Sequence, residues 1–437
     1  MLRPSDDDLE EVEDALVDGD VAYQRGTAQA ALRHRDFRIV YLSTFASNVG
    51  TWMQNVVLGA FALKLTGSPG YVGIIYFAQL GPLLFLSTLG GLLADIVDRR
   101  RLLVTVQLAQ MVLSFGLAAL ALLDDPSREA LVAIVFAIGV ANALGAPGLS
   151  AILPTLVPRE DLPGAVALQS VQMNLSRVIG PAIGGVLYAV FDAAPVFAIN
   201  AATYAFAIVG LMWATYPRHA DAHVEERGFQ RLLSGVRIVR RDPLLSQLII
   251  TLFAFSFFSL AFVGLMPVIA EENLAIDPKS SAYGILYACF GLGAALGAIT
   301  VGTAFAHRSK VKLIRPGFVA FAAVLSVFAV LRNAGIAYPV SAVLGYAYFV
   351  VITSLSTVLQ EHLEEGQRGR VLALWIMGFG GTVPLGVLVA GWVEQITTIT
   401  VILLAGAAFA IVLAVWSDST RLYGKHAAAA PADEGSS

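Results

Sequence analysis

The sequence predicts an all-α membrane protein with twelve transmembrane helices in two pseudo-symmetric six-helix bundles. Three observations carry that expectation: a strongly apolar composition, twelve apolar stretches of spanning length, and residues that recur at a near-constant offset between the two halves of the chain. Of 437 residues, 57% are hydrophobic and 14% charged, and the mean hydropathy is +0.73. A water-soluble domain carries about a quarter charged residues, so most of this chain is expected to lie against lipid or against other helices.

A helix crosses the hydrocarbon layer with about 20 mostly apolar residues. By that measure spans 1 to 12 fall near 38–63, 71–95, 102–123, 130–153, 165–190, 195–215, 246–270, 281–304, 313–331, 337–359, 370–393 and 397–416. Most linkers are short and carry turn residues, such as Gly67-Ser-Pro-Gly70, Asp124-Asp-Pro126 and Asp277-Pro278. One long linker, 217–245, separates a first bundle at 33–216 from a second at 246–416. Within it Phe229, Leu232, Leu233, Val236 and Val239 fall on one helical face with arginines elsewhere, which predicts an amphipathic helix lying at the membrane surface. The tails, 1–32 and 417–437, are expected to be disordered. Nine of the chain's 32 acidic residues lie in the first twenty positions, with no apolar signal-peptide core.

Lysine and arginine set the orientation. With alternate loops assigned to one side, the side holding the N-terminus carries 23 of the 28 basic residues. The other side holds only Lys64, Arg128, Lys279 and Arg332, and Arg177 falls inside a span. Both termini are therefore expected in the cytoplasm, with the chain multi-pass in a bacterial inner membrane. All six histidines fall on the same basic side, and the single cysteine is Cys289. Neither a disulfide framework nor a metal site is expected.

The two halves of the chain also repeat each other. Gly73 and Tyr76 match Gly284 and Tyr287 at an offset of 211, as do Gly91 with Gly302 and Arg99 with Lys310. Gly180 matches Gly386 and Gly185 matches Gly391 at an offset of 206, and Arg35-Asp36 matches Arg241-Asp242. Parallel repeats of this kind build one large class of transporters.

Several residues could carry chemistry. Between spans 2 and 3 stands Gly91-Leu-Leu-Ala-Asp95-Ile-Val-Asp98-Arg99-Arg100-Arg101. There a glycine for close packing, an acid at the helix end and arginines beside it could lock two helices in one state and release them in another. Span 5 holds Gly180-Pro181-x-x-Gly184-Gly185, where proline removes a backbone hydrogen bond and the glycines admit a close neighbour. Arg177 is the only charge deep in a span, close to mid-bilayer. A charge there costs at least about 2.5–3.5 kcal/mol, so it must face helices or a wet cavity. It either holds span 5 through backbone carbonyls or meets an anionic or polar substrate. Asn174, Asn48, Gln54, Asn55, Gln79, Gln110 and Asn142, with Asn200, are further candidates for a polar cavity wall in the first half. For each singly, an interhelical hydrogen bond is the equal alternative. The second half offers Phe253, Phe255, Phe257, Phe258, Ser354 and Thr357, so an amphipathic organic substrate suits the pair of walls. Asp95, Glu271, Glu272, Glu361 and Glu394 all lie near helix ends, and no carboxylate sits deep in a span.

The loop between spans 2 and 3 resembles that of the major facilitator superfamily, whose pattern is Gly-x-x-x-Asp-Arg-x-Gly-Arg-Arg. Ile96 stands for its first arginine, Asp98 for its glycine, and Ala306 for Asp95 in the second half. The resemblance therefore carries the family's lock only to Asp95 and Arg99. Gly50-Thr-Trp-Met-Gln54, Leu65-Thr-Gly-Ser-Pro69, Gly90-Gly-Leu-Leu-Ala-Asp95, Leu156-Val-Pro-Arg-Glu-Asp-Leu162 and Asn174-Leu-Ser-Arg177-Val-Ile-Gly-Pro-Ala-Ile-Gly-Gly185 resemble the bacterial branch that holds the enterobactin exporter and the macrolide efflux proteins. The Gly-Pro segment is similar to the superfamily's antiporter motif, with Ser176 where that motif has a further glycine. The resemblance covers roughly 33–416. It implies a monomeric secondary transporter that exports a small amphipathic molecule, siderophore or drug-like, by alternating access in antiport with protons. The alternatives are a nutrient importer of the same fold and, from another class, a membrane enzyme or lipid flippase. No nucleophile, acid–base pair or metal constellation lies within the spans, and no Gly-x-x-x-x-Gly-Lys-Ser/Thr is present, so neither enzyme chemistry nor ATP is expected. No cofactor or nucleic-acid partner is expected.

Overall fold

The computed structural model describes residues 25–216 and 229–417, and every regular element among them is helical. In the first half, span 1 is Arg35–Thr66, span 2 is Pro69–Leu80 with Pro82–Ile96, and span 3 is Arg99–Ala121. Spans 4, 5 and 6 are Arg128–Ile152, Leu162–Phe191 and Ala193–Trp213. In the second half, span 7 comes in three pieces, Pro243–Phe258, Ala261–Gly264 and Met266–Glu272. Spans 8 to 12 are Ser281–Gly302, Val311–Val330, Ala334–His362, Glu365–Glu394 and Ile399–Trp416. Ten of these twelve meet the length and apolarity of a membrane span alone. Span 1 is diluted by its own serines, threonines, asparagines and glutamine, and span 7 is interrupted. Both are held in place by their neighbours.

Local chemistry sets the ends. Thr27, Ser68, Ser127, Asn333 and Thr398 each accept a backbone N–H of the first turn they precede. Asp98 and Asp242 do the same for spans 3 and 7. Pro69, Pro82 and Pro243 sit where a helix needs no N–H. Spans 1, 5, 10 and 11 run to 32, 30, 29 and 30 residues. At 1.5 Å per residue each is about 45 Å long, so they project well beyond the hydrocarbon layer.

Two expectations change. The N-terminal tail does not stay unstructured through residue 32: Ala28–Arg33 is helical, Ala31 is fully buried, and the Gly26 N–H donates to Asp161 at 3.0 Å. The same carboxylate meets His34 at 2.7 Å. The acidic stretch before residue 25, residues 217–228 and the tail after 417 lie outside the described residues. Phe229–Arg241 is helical and turns by 117° into span 7. It is not simply laid on lipid. Val239 is buried, and Gly235 abuts the Arg370 carbonyl at the start of span 11, while Leu233 and Val236 stay exposed.

The glycines matched by offset occupy matched places. Gly73 of span 2 packs on Val387 and Leu388 of span 11, and Gly284 of span 8 packs on Gly185 and Pro181 of span 5. Gly180 meets the Val49 carbonyl of span 1, and Gly386 meets the Phe257 carbonyl of span 7. The repeat is therefore one of helix contacts, each kept by a residue with no Cβ to hold the backbones apart.

Candidate functional site

The two halves meet along two crossings, span 5 on span 8 and span 2 on span 11. At the face opposite the arginine-rich loops the approach is backbone to backbone. A Cβ at Gly185 would lie 2.5 Å from the Gly284 Cα, and one at Gly391 would lie 2.5 Å from the Pro69 carbonyl oxygen. Asp192, between spans 5 and 6, adds a charge clasp: Lys279 of the second half donates to it at 2.6 Å, and Lys64 lies at 3.6 Å. The Lys279 ammonium holds the Asp192 carboxyl below its usual range. Asp192 takes φ of 68°, a left-handed conformation that a non-glycine residue adopts only when its surroundings hold it there. Toward the basic face the crossings end, and a Cβ at Gly91 would meet nothing within 4 Å.

Arg177 stands at the inner end of the span 5–span 8 crossing, near the middle of the 30-residue span 5. Its guanidinium lies 5.1 Å from the Trp52 ring of span 1 and 4.9 Å from the Phe349 ring of span 10. Tyr76, Tyr287 and Tyr348 are within electrostatic range. No carboxylate pairs with it and no carbonyl accepts from it among the described residues. Of the two alternatives for Arg177, backbone bonding is not what is seen; the guanidinium is held between aromatic faces from both halves, with cation–π attraction of about 1–2 kcal/mol per desolvated ring. Pro181 explains the neighbouring backbone. It has no N–H to give the Arg177 carbonyl, and that carbonyl faces Gly291 of span 8. Pro147 of span 4 repeats the device, since the Ala143 carbonyl it leaves free faces Gly90 of span 2. Span 5 nonetheless runs helical through Pro181.

The polar candidates divide into three groups. Gln54 is wholly buried and its Oε1 accepts from Ser114 at 2.9 Å and from Asn200 at 2.8 Å. Gln54 and Asn200 therefore tie spans 1, 3 and 6 together and leave the list of cavity residues. Asn174 leaves it too, because its Nδ2 donates to the Ser170 carbonyl one turn back. Asn55 and Gln79 form the second group. Gln79 donates to Asn55, and the pair lines a small enclosure with Tyr76, Tyr283 and Tyr287 beside Val263 and Gly264 in the short middle piece of span 7. Asn48, Gln110 and Asn142 form the third, on the wall of a cavity of about 210 Å³ within the first bundle between spans 1, 3, 4, 5 and 6.

The loop motif is only partly on view. Asp98 caps span 3 by accepting the Arg101 N–H at 2.8 Å. Arg100 donates to the Met212 carbonyl at the end of span 6 and lies 5.9 Å from the Tyr216 ring. Both contacts stay within the first half. Arg99 makes contacts of its own, and the Asp95 side chain lies outside the described residues. In the second half, Phe255 is buried in a ring cluster with Phe318 and Phe321, and Phe258 packs on Phe409 near lipid. Neither lines the interface. The aromatic wall is instead Tyr287, Tyr348 and Phe349, which the sequence reading missed. The offset match of Tyr76 with Tyr287 was the one signal that could have found part of it.

A model of the transmembrane secretion effector family matches residues 26–434. The chain is 28% identical over 357 residues to the enterobactin exporter EntS of Salmonella typhi, an alignment covering 78% of this chain and 81% of the relative. It is 29% identical over 349 residues to EntS of Escherichia coli O1:K1 / APEC, with the same coverages. Among solved structures, the nucleoside transporter NupG superposes with a TM-score of 0.72 at 13% identity, over 89% of this chain and 99% of that one. A bacterial homolog of the human lysosomal transporter Spinster gives 0.71 at 13% identity, over 90% and 98%. At those identities the structures speak for the fold alone.

Proposed function

We propose that this chain, which belongs to the transmembrane secretion effector family of the major facilitator superfamily, exports a small amphipathic molecule carrying an anionic or strongly polar group, siderophore or drug-like, in antiport with protons. The observation that carries the substrate class is Arg177: a guanidinium near mid-membrane, between Trp52 and Phe349, with rings from both halves around it and no carboxylate on it among the described residues. A charge so placed is retained against a standing penalty, and an anion arriving with its own apolar body would satisfy both the charge and the rings. Relatives named as enterobactin exporters support the outward direction.

The basic face is then cytoplasmic, in the inner membrane of a bacterium, with both termini inside and the protein acting as a monomer. The glycine crossings and the Asp192–Lys279 clasp seal the outer side, and the halves part toward the cytoplasm. Cargo enters from within, neutralises Arg177, and the halves rock about the span 5–span 8 and span 2–span 11 crossings to open outward. Asp95 and Arg99 would lock the inner side in that state. For the proton, Glu272 at the end of span 7 faces Glu394 at the end of span 11. Two carboxyls in contact hold a proton between them more readily than two charges, at the rim where an exporter takes protons up.

The experiment is cellular accumulation of salicylate, a small aromatic anion, in cells producing the wild-type chain or Arg177→Ala at matched membrane levels. Lower accumulation with the wild type and restoration in the variant is expected. Equal accumulation in both would refute the anion contact, and higher accumulation with the wild type would reverse the direction to import.

A further inference from the structure

The cavity inside the first bundle has a lining that Arg177 does not explain. Six carboxamides contribute to it: Asn48, Gln107, Gln110, Asn142, Gln169 and Gln172. Among the described residues, no lysine, arginine, histidine, aspartate or glutamate does. Gln107, Gln110 and Gln172 are 8%, 7% and 2% exposed. Gln172 donates to Thr44 at 3.1 Å, but its Oε1 has no partner among the described residues. The other five make no hydrogen bond among the described residues. The same bundle shows the alternative a few residues away, where Gln54, Asn200 and Ser114 satisfy one another. Amides in a membrane interior that are not satisfied by the chain are expensive, and here they are gathered around open space. At about 210 Å³, that space is more than ten times the roughly 10–15 Å³ that one water needs.

We infer that this cavity is a second binding site, distinct from Arg177, for an uncharged amide- or hydroxyl-bearing group. Carboxamides donate and accept at once, so they match neutral groups of either polarity, and they offer no counter-charge to an ion that would have to leave its water behind. Leu103, Val106, Leu149 and Met173 supply the apolar remainder of the wall. The inference rests on the export reading only in calling the ligand cargo; binding itself does not depend on it. A cargo with a charged end and a neutral polar body would span both sites.

A matched pair of probes separates the two. N-acetylphenylalaninamide is neutral, and N-acetylphenylalanine differs from it by one carboxylate. Binding of each, tritiated, is measured to the full chain in lipid nanodiscs. Gln110→Leu and Asn142→Leu are each expected to weaken the amide probe by about tenfold or more, the effect of leaving a neutral polar group unmatched, and to leave the carboxylate probe unchanged. Because neither amide bonds to the described chain, neither variant should lower the melting temperature. Arg177→Gln should do the reverse, weakening only the carboxylate. The inference is overturned if the wild type does not bind the amide probe, if both leucine variants bind it normally, or if both melt at lower temperature, since these amides would then be structural. A carboxylate probe indifferent to Arg177→Gln would count against the Arg177 contact and leave this site standing.

Discussion

Replacing Arg177 separates a substrate contact from a structural strut. The stability side can be worked from the contacts. Removing an unpaired charge near mid-bilayer recovers about 2.5–3.5 kcal/mol. Losing the contacts at 5.1 Å to Trp52 and 4.9 Å to Phe349 costs about 1–2 kcal/mol each. The two nearly cancel, so Arg177→Ala and Arg177→Gln should leave the melting temperature in detergent little changed. Affinity for an anion behaves otherwise. Truncating one member of a desolvated charge pair costs about 2–5 kcal/mol, which is a loss of about 30- to 4,000-fold in binding. Arg177→Lys keeps the charge without the flat face that lies between the rings, so its affinity should fall between wild type and alanine. The assay pairs salicylate binding in nanodiscs with thermal unfolding. Melting temperatures that collapse in all three variants, or salicylate affinity that survives in both neutral ones, would refute the reasoning.

Three other perturbations follow from the same geometry. A leucine at Gly185 or Gly284 cannot be accommodated where a single Cβ already falls 2.5–2.7 Å from the facing backbone, so either should stop efflux by more than about tenfold while the protein still reaches the membrane; transport at the wild-type rate would mean that this crossing need not close. Asp192→Asn removes the charge that Lys279 meets at 2.6 Å and should lengthen the spin-label distance between exposed positions 125 and 396 on the same face, whereas an unchanged distribution would show that the glycine crossings hold that face alone. The Asp161 carboxyl is held low by its hydrogen bonds from His34 and from the Gly26 N–H. Its contribution is therefore present above the unfolded value near ~3.9 and lost as pH falls through the lower folded value. The melting temperature should drop in acid below about pH 4, and less steeply in Asp161→Asn.

The spans were legible because lipid forces each backbone to satisfy itself, and length and apolarity are then enough. The repeat was legible because close crossings require glycine, which leaves a mark such as Gly73 with Gly284. Span 7 was harder. Its first break, at Ser259, carries neither proline nor glycine, and its second, at Leu265, lies between Gly264, which packs against Tyr76 and Val387, and Pro267. Polar residues were the least legible. Gln54 and Gln110 look alike in sequence, yet one is consumed by Ser114 and Asn200 while the other borders open space, and only the relative rotation of spans 1, 3 and 6 decides that. Gln107 and Gln169 were passed over for the same reason. Arg177 was found because a single charge in an apolar run needs no neighbour to be noticed; its aromatic cage, drawn from spans 1 and 10, could not be found that way.

Everted membrane vesicles carrying the protein, given an imposed inward-acid proton gradient and external salicylate, test the account at its centre. Gradient-driven uptake is predicted, abolished by an uncoupler and by Arg177→Ala and blunted by Glu272→Gln. Uptake by the wild type that ignores the gradient, or that persists unchanged in Arg177→Ala, would contradict it.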